Sequence, residues 1–552
     1  MRSNNGWRRV RGIGAPIVVV AALMAGPGLA AAAPTPAAAP VALPTAPAAD
    51  PPPVAPLPAA KPVDPKVERE ALGAPAPSPD SANAAQASSP DPLKLVAVSW
   101  TGPTPDLIEL RSRLANGAFG PWTRVDPVDS ERDGVRAKVA SSEPVWVADS
   151  REVQVRAVDD GAPATSRMAL TSIDPATSTN DTSARAASVS PGLPKLVTRA
   201  QWGADEKLMT WPPQFTPTVR AVTIHHTAGT NAYTAAESAA IVRGIYAYHA
   251  KTLGWGDIGY NVLVDRFGTV FEGRKGGLER SVIAAHAGGF NRETFGIGMM
   301  GDFTSVALPA AQLEATARLA AYKLGGLYRD PRATTTLTST GGGTSKYAAG
   351  RQVTLPTVFA HRDVGATECP GNTGIRSMPA IRDRTAALVG DLSTNPVRTK
   401  WLAQRALLGE PSVVESATGQ GARVTRFSLS NGSVYWSSAT GAWSVVGEIN
   451  KRYDLVGAAT SPVGLPRTDE LTTPDRRGRY NHFVTGSIYW TPQTGAWPVR
   501  GPILDAWARA GWERSTYGYP RSDQYAVSGG VRQDFERGSL VYDTRTAAVR
   551  RV

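Results

Sequence analysis

At 552 residues the chain is too long for one hydrophobic core, and about two to four domains are expected. A formal charge of +12 and an isoelectric point near 9.8 favour a polyanionic partner, but no RNP-like, finger-like or basic-zipper pattern accompanies the charge, which sets nucleic acid aside. The single cysteine, Cys369, excludes an internal disulfide.

Arg8, Arg9 and Arg11 precede an apolar stretch over residues 13–25, too short and too interrupted by Gly and Pro for a stable membrane span. Small residues at 30–33 suit a signal peptidase. Residues 1–33 are therefore expected to be a signal peptide, leaving a secreted chain with no transmembrane anchor after cleavage. Residues 34–92 are rich in Ala, Pro and Ser and are expected to be a disordered linker. Over 93–170, short alternating runs such as "KLVAVSW", "EPVWVADS" and "REVQVRAV" are split by Asn-Gly and Asp-Gly turn signals. They predict a small all-β module without evident chemistry. Residues 171–195 read as a second linker.

From 196 to 392 strand and helix patterns mix. "VTIHH", "TFGIGMMGDF" and "TVFAH" predict buried strands, and "GYNVLVDRFGTVFEGR" a hairpin turning near Arg266–Gly268. "AAESAAIVRGIYAYHAK" predicts an amphipathic helix with Ile241, Ile245 and Tyr248 on one face. Two further helices are expected in "PAAQLEATARLAAYKLGGL" and "IRSMPAIRDRTAALVGDL". Strands with segregated helices give an α/β or α+β domain. From 400 to 552 the chain repeats itself: "RFSLSNGSVYWSSATGAW" returns as "HFVTGSIYWTPQTGAW" and, degraded, as "DFERGSLVYDTRTAAV", with Gly432, Gly486 and Gly538 in phase. Such units are too small to bury their own faces, so they are expected to pack as one α+β array. Trp436, Trp443, Trp490 and Trp497 fit either its core or a sugar-stacking surface.

Five of the six histidines, His225, His226, His249, His286 and His361, lie in the middle domain; His482 lies in the repeats. Successive strand residues face opposite sides, so only one of the doublet His225–His226 can reach a given site. His361 ends an apolar strand, and Cys369 follows in the next loop. Imidazole nitrogens and a thiolate suit zinc, and three protein ligands leave a position for catalysis. On spacing alone, a metal and a buried Cys with ordinary histidines both stay open.

"VTRAQWGA", "IHHTAG", "LGWGDIGYNVLVDRFGTVFEGR", "AAHAGGFNRETFGIGMMGDF" and "HRDVGATECPG" together resemble the peptidoglycan recognition protein and zinc-dependent type-2 N-acetylmuramoyl-L-alanine amidase family. The resemblance implies an α/β amidase domain with a mixed central sheet flanked by helices, within a multidomain chain. It implies a Zn2+ ion held by His225, His361 and Cys369, with Tyr260 and Thr367 catalytic. Thr367 stands where some members carry Lys. His286, Asn291 and Arg274 are implied to bind substrate, while His226 and His249 are expected to be structural. The implied activity is hydrolysis of the amide between N-acetylmuramoyl and L-alanine in peptidoglycan. Family members without the ligand cysteine bind peptidoglycan uncut, so a non-catalytic binding or structural wall protein is the alternative. The C-terminal units resemble LGFP repeats, which implies tethering to the cell envelope through arabinogalactan or another anionic wall polymer.

Overall fold

The computed structural model describes residues 59–72, 84–128, 131–132, 135–136, 140–181 and 196–552. The expected signal peptide and much of the first linker lie outside them. Among the described residues no helix is long and apolar enough to cross a membrane.

The N-terminal module is an antiparallel sheet. Its main path runs β1 (Lys66–Ala71), β6 (Met168–Asp174), β2 (Ala84–Trp100), β5 (Val145–Asp159), β3 (Leu107–Ser112) and β4 (Thr123–Arg124). Alternate residues such as Val96, Val98, Val153, Val155 and Leu170 make its own core. The expected linker boundaries fail here. β1 and the start of β2 fall inside 34–92, and β6 runs past 170. The reason is that β1 is an edge strand with mostly exposed side chains. Its six-residue ladder to β6 needs only backbone groups, which leave no apolar pattern to read.

The middle domain is built on a six-stranded mixed sheet. In order it comprises β7 (Leu196–Val197), β10 (Val270–Glu272), β9 (Val262–Val264), β11 (Thr294–Met299), β8 (Ala221–His226) and β12 (Val358–Ala360). The β9–β10 hairpin is antiparallel; the other pairs are parallel. Helices α2 (Ala310–Gly326) and α3 (Asn372–Val389) pack against one face, where Val222, Ile224, Phe295, Ile297, Leu319 and Ile381 share a core.

Helix α1 (Ser238–Ala247) serves the other face, and it departs from the amphipathic expectation. All ten of its residues are buried. The middle domain covers one side, and Leu95, Ala97, Trp146 and Ile173 of the β module cover the other. Arg243, only 1% exposed, donates to the carbonyls of Trp202, Pro175 and Ala176 and holds Asp181 through two bonds of 2.7 Å.

The C-terminal region forms three four-stranded antiparallel sheets with short helices Pro396–Ala403, Gly447–Leu455 and Gly501–Arg509. Neighbouring units share cores, as the repeat pattern predicts. Ile449 and Tyr453 of the middle helix pack between Tyr435 and Val445 of one sheet and Phe483 and Ile488 of the next. The four tryptophans are half-buried. Three carry cations: Arg423 lies 4.4 Å from the Trp436 ring, Lys400 4.8 Å from Trp443 and Arg452 4.5 Å from Trp497.

Candidate metal centre

β8 and β12 run parallel, with Ile224 opposite Ala360. The register brings His225, last but one in β8, beside His361, which opens the turn after β12. Their ring centroids are 4.5 Å apart. The turn is fixed by Asp363, whose carboxylate accepts from the Ala360 N–H at 2.9 Å. The chain then loops back, with Arg362 N–H donating to the Cys369 carbonyl at 2.9 Å and Cys369 N–H to Thr367 Oγ1 at 3.1 Å. Cys369 Sγ thereby lies 3.8 Å from His225 Nδ1, and one ligand atom from each of the three residues falls within 4.8 Å of the others.

The donors fit a zinc ion. A nitrogen and a sulfur bound to one tetrahedral zinc stand about 3.6 Å apart. His361 Nε2 is buried without a hydrogen-bond partner among the described residues.

The proton positions point the same way. Thr294 Oγ1 donates to the Phe290 carbonyl, which can only accept. The same oxygen therefore accepts from His286 Nε2 at 3.3 Å, leaving His286 Nδ1 bare. His286 Nδ1 in turn accepts from His225 Nε2 at 2.9 Å, so the lone pair of His225 sits on Nδ1, facing Cys369. This chain of bonds fixes the tautomer a metal requires.

Electrostatics agree. Burial, then the rings of His361 and His286, pushes the His225 imidazole well below its ordinary value. Burial holds both His361 and His286 at about 3, helped by the His226 ring and Lys346 at His361 and by the His361 ring and Arg274 at His286. All three rings are neutral at physiological pH, with lone pairs available. Burial pushes the Cys369 thiol well up, a shift that a bound cation would reverse.

The hollow for these rings is made by glycines. On β11, Phe295, Ile297 and Met299 face the helices, while Gly296 and Gly298 face the site. A Cβ on Gly296 would stand 2.3 Å from His286 Cγ, and one on Gly298 3.0 Å from the Tyr260 ring. The alternation in "FGIGM" was a readable signal that the sequence analysis did not use.

The other expected residues divide. Tyr260 and Thr367 line the cavity. Burial and the nearby Glu143 carboxylate keep the Tyr260 phenol far above its usual pKa, so it remains a donor; its proton goes to Glu143 Oε1 at 3.2 Å. His286 is turned to His225 rather than placed as a free substrate contact. Asn291 and Arg274 both bond backbone groups. Asn291 Oδ1 accepts from the His286 and Ala287 N–H groups at 2.8 and 2.9 Å. Arg274 donates to the Ile258 and Trp255 carbonyls at 3.1 and 3.0 Å. Both shape the pocket from behind because each is buried where unpaired backbone groups need partners.

His226 Nδ1 accepts from the Phe303 N–H at 3.3 Å and Nε2 faces Asp126 at 3.5 Å; strand alternation keeps it out of the His225 relay, but its ring still lines the cavity. His249 Nδ1 accepts from the Gly259 N–H at 3.0 Å, which leaves Nε2 to donate towards Glu143 Oε2 at 3.4 Å. Asp126 and Glu143 come from the β module. No sequence signal marked them, because nothing in a strand pattern says which loop will meet a distant pocket.

The family described as N-acetylmuramoyl-L-alanine amidase matches residues 215–372. Peptidoglycan-recognition protein SC2 of Drosophila simulans is 33% identical over 176 residues, 32% of this chain and 80% of the relative.

The chain belongs to the peptidoglycan recognition protein and type-2 amidase family.

Peptidoglycan recognition protein 1 of Bos taurus is 33% identical to this family member over 127 residues, covering 23% of this chain and 64% of the relative. Among solved structures, Drosophila PGRP-LB is similar at 26% identity, with 33% of this chain and 91% of that one covered and a TM-score of 0.26. Outside the amidase domain, LGFP repeats match residues 408–461 and 463–515. A domain described as Rv3811 N-terminal galactose-binding domain-like matches residues 45–185, reaching well into the expected linker.

Proposed function

We propose that this protein is an exported, zinc-dependent amidase that hydrolyses the bond between N-acetylmuramoyl and L-alanine in peptidoglycan. The observation that carries the reading is the convergence of one ligand atom each from His225, His361 and Cys369 in one buried pocket, with His225 Nδ1 3.8 Å from Cys369 Sγ. The amidase family match and the SC2 relative, whose name states peptidoglycan recognition, support the substrate. The binding-only alternative is disfavoured by the presence of Cys369, since a bare pocket for recognition needs no buried thiol.

When bound, zinc supplies Lewis-acid polarisation of a carbonyl and acidifies water. The chain's own residues do the rest. His286 and Thr294 hold the His225 ring in its ligand orientation. The Tyr260 hydroxyl, once free of Glu143, donates a hydrogen bond to the oxygen of the scissile carbonyl as charge builds there. The Thr367 hydroxyl lies at the same cavity and holds the Cys369 loop in place. The domains are assigned as a signal peptide over 1–33, a β-rich module reaching into the first linker, the amidase domain over 196–392, and repeats over 400–552. The repeats tether the enzyme to arabinogalactan or another anionic wall polymer, to which the +12 charge is suited.

Elemental analysis of the purified chain should find one zinc per molecule, lost in Cys369→Ala. Incubation with peptidoglycan should release stem peptides cut at the lactyl amide, read by mass, stopped by a chelator and restored by zinc. Zinc-loaded protein that binds muropeptides and releases no stem peptide, even with its β module displaced, would establish the binding-only reading instead.

A further inference from the structure

The metal pocket is closed by the wrong domain for an enzyme that acts on a polymer. Its walls include Asp126, Pro127, Val128 and Glu143, all from the β module, opposite His225, His361 and Cys369. The cavity left between them is about 30 Å³. That is room for one or two waters, whereas a ligand of muropeptide size needs on the order of 300 Å³ or more. Glu143 also takes the Tyr260 hydroxyl, which lines the cavity, at 3.2 Å, and faces His249 Nε2 at 3.4 Å. Tyr248, at the end of α1, donates to the neighbouring Ser142 carbonyl at 2.9 Å.

The contact is built to hold. Leu95, Ala97, Val128, Trp146 and Ile173 of the module share one buried apolar cluster with Ile241, Ile245, Tyr248, Trp255 and Tyr260 of the amidase domain. Leu95 is fully buried against α1, and a Cβ on Gly244 would lie 2.5 Å from its Cδ1. That glycine permits the close approach of helix and sheet. Arg243, buried beside it, binds the segment that leaves the module after Asp174, at Pro175, Ala176 and Asp181. A large apolar interface of this kind does not open by default.

We propose that the β module is an intramolecular plug: with Asp126–Val128 and Glu143 seated over the metal pocket the enzyme is latent, and substrate enters only when the module is displaced. The proposal rests on the amidase reading of that pocket. The same cavity size argues against Glu143 as a catalytic group supplied by the module, because no substrate fits while Glu143 is in place.

Cys369 is the chain's only thiol and lies under the plug, which gives a readout independent of catalysis. The full chain is stripped of metal with a chelator, and the rate of Cys369 modification by an aromatic disulfide reagent is measured. The parent should react at least tenfold more slowly than the urea-unfolded chain. Gly244→Gln places a side chain where Leu95 sits while favouring the helix, and should raise the folded protein's rate at least tenfold. Glu143→Ala, which removes the Tyr260 and His249 contacts without adding bulk, should raise it severalfold. Both variants should cleave peptidoglycan faster than the parent when zinc-loaded. A parent thiol as reactive as in the unfolded chain, or Gly244→Gln and Glu143→Ala rates equal to that of a slow parent, would overturn the plug. Fast labelling of the metal-stripped variants, with no cleavage by the same variants once loaded with zinc, would leave the plug standing and sink the amidase reading.

Discussion

Replacing Thr294 by valine keeps the shape of the side chain and deletes one hydroxyl, and its effect on metal binding follows from the proton positions. In the parent the hydroxyl donates to the Phe290 carbonyl and accepts from His286 Nε2 at 3.3 Å. In Thr294→Val with metal bound, His225 must still donate from Nε2 to His286 Nδ1, so the buried His286 Nε2–H has no acceptor. Leaving such a donor unpaired costs about 1–3 kcal/mol. The metal-free variant escapes that cost by moving the His286 proton to Nδ1, which forces His225 to carry its own proton on Nδ1, the nitrogen facing Cys369. Metal binding must reverse both shifts, so the cost appears as lost affinity, about 5- to 150-fold, in the range found for residues that orient ligands in other metal sites. Zinc affinity is read by competition with a chromophoric chelator, with circular dichroism confirming the fold. A Thr294→Val affinity within about twofold of the parent would show that the relay does not set the His225 tautomer.

Other expectations test separate links. Gly296→Ala should push the His286 ring aside, since its Cβ would stand 2.3 Å from Cγ; zinc content should fall and the melting temperature drop with an overpacking cost of about 1–3 kcal/mol. Tyr260→Phe should keep zinc and slow cleavage by about 10²-fold in kcat with little change in KM; full activity would remove Tyr260 from the chemistry. Lys323 is fully buried, donates to the Leu278 and Arg280 carbonyls, and is pushed down to about 7 by desolvation. Its folded pKa lies below the unfolded value of about 10.4, so the unfolded chain binds more protons between those values and stability rises with pH there. Relative to Lys323→Met, the parent should gain roughly 2 kcal/mol in its amidase-domain unfolding transition from pH 7.5 to 9.5; parallel pH profiles would contradict this. Tyr453→Ala should remove about 3–5 kcal/mol from the repeat array and expose 400–552 to limited proteolysis, because Tyr453 is fully buried where two units share a core.

Much of the site was legible because strand periodicity is local. One glance at "IHH" shows that a single histidine of the pair can serve, and "VFAH" ends a strand for the same reason. The repeats declared themselves through the phase of Gly432, Gly486 and Gly538, and the domain carrying the candidate metal ligands through its motifs. Other features had no local trace. An exposed edge strand at 66–71 is held by backbone bonds that side-chain pattern cannot report. The role of His286 depends on Thr294 and His225 meeting it in space. Arg274 and Asn291 read as polar groups available to a ligand, and only the packed structure shows that they also bond loop carbonyls and amides.

The sequence by itself determined the strand faces, the repeat array and the three residues able to share a metal, since each follows from spacing along one stretch of chain or from motif. Tertiary structure alone decided which ring nitrogen of His225 faces the thiol, and that Glu143 and Asp126 reach the pocket from another domain. Both depend on contacts between residues far apart in the chain, whose distances are set by how sheets and helices pack and are encoded in no single segment.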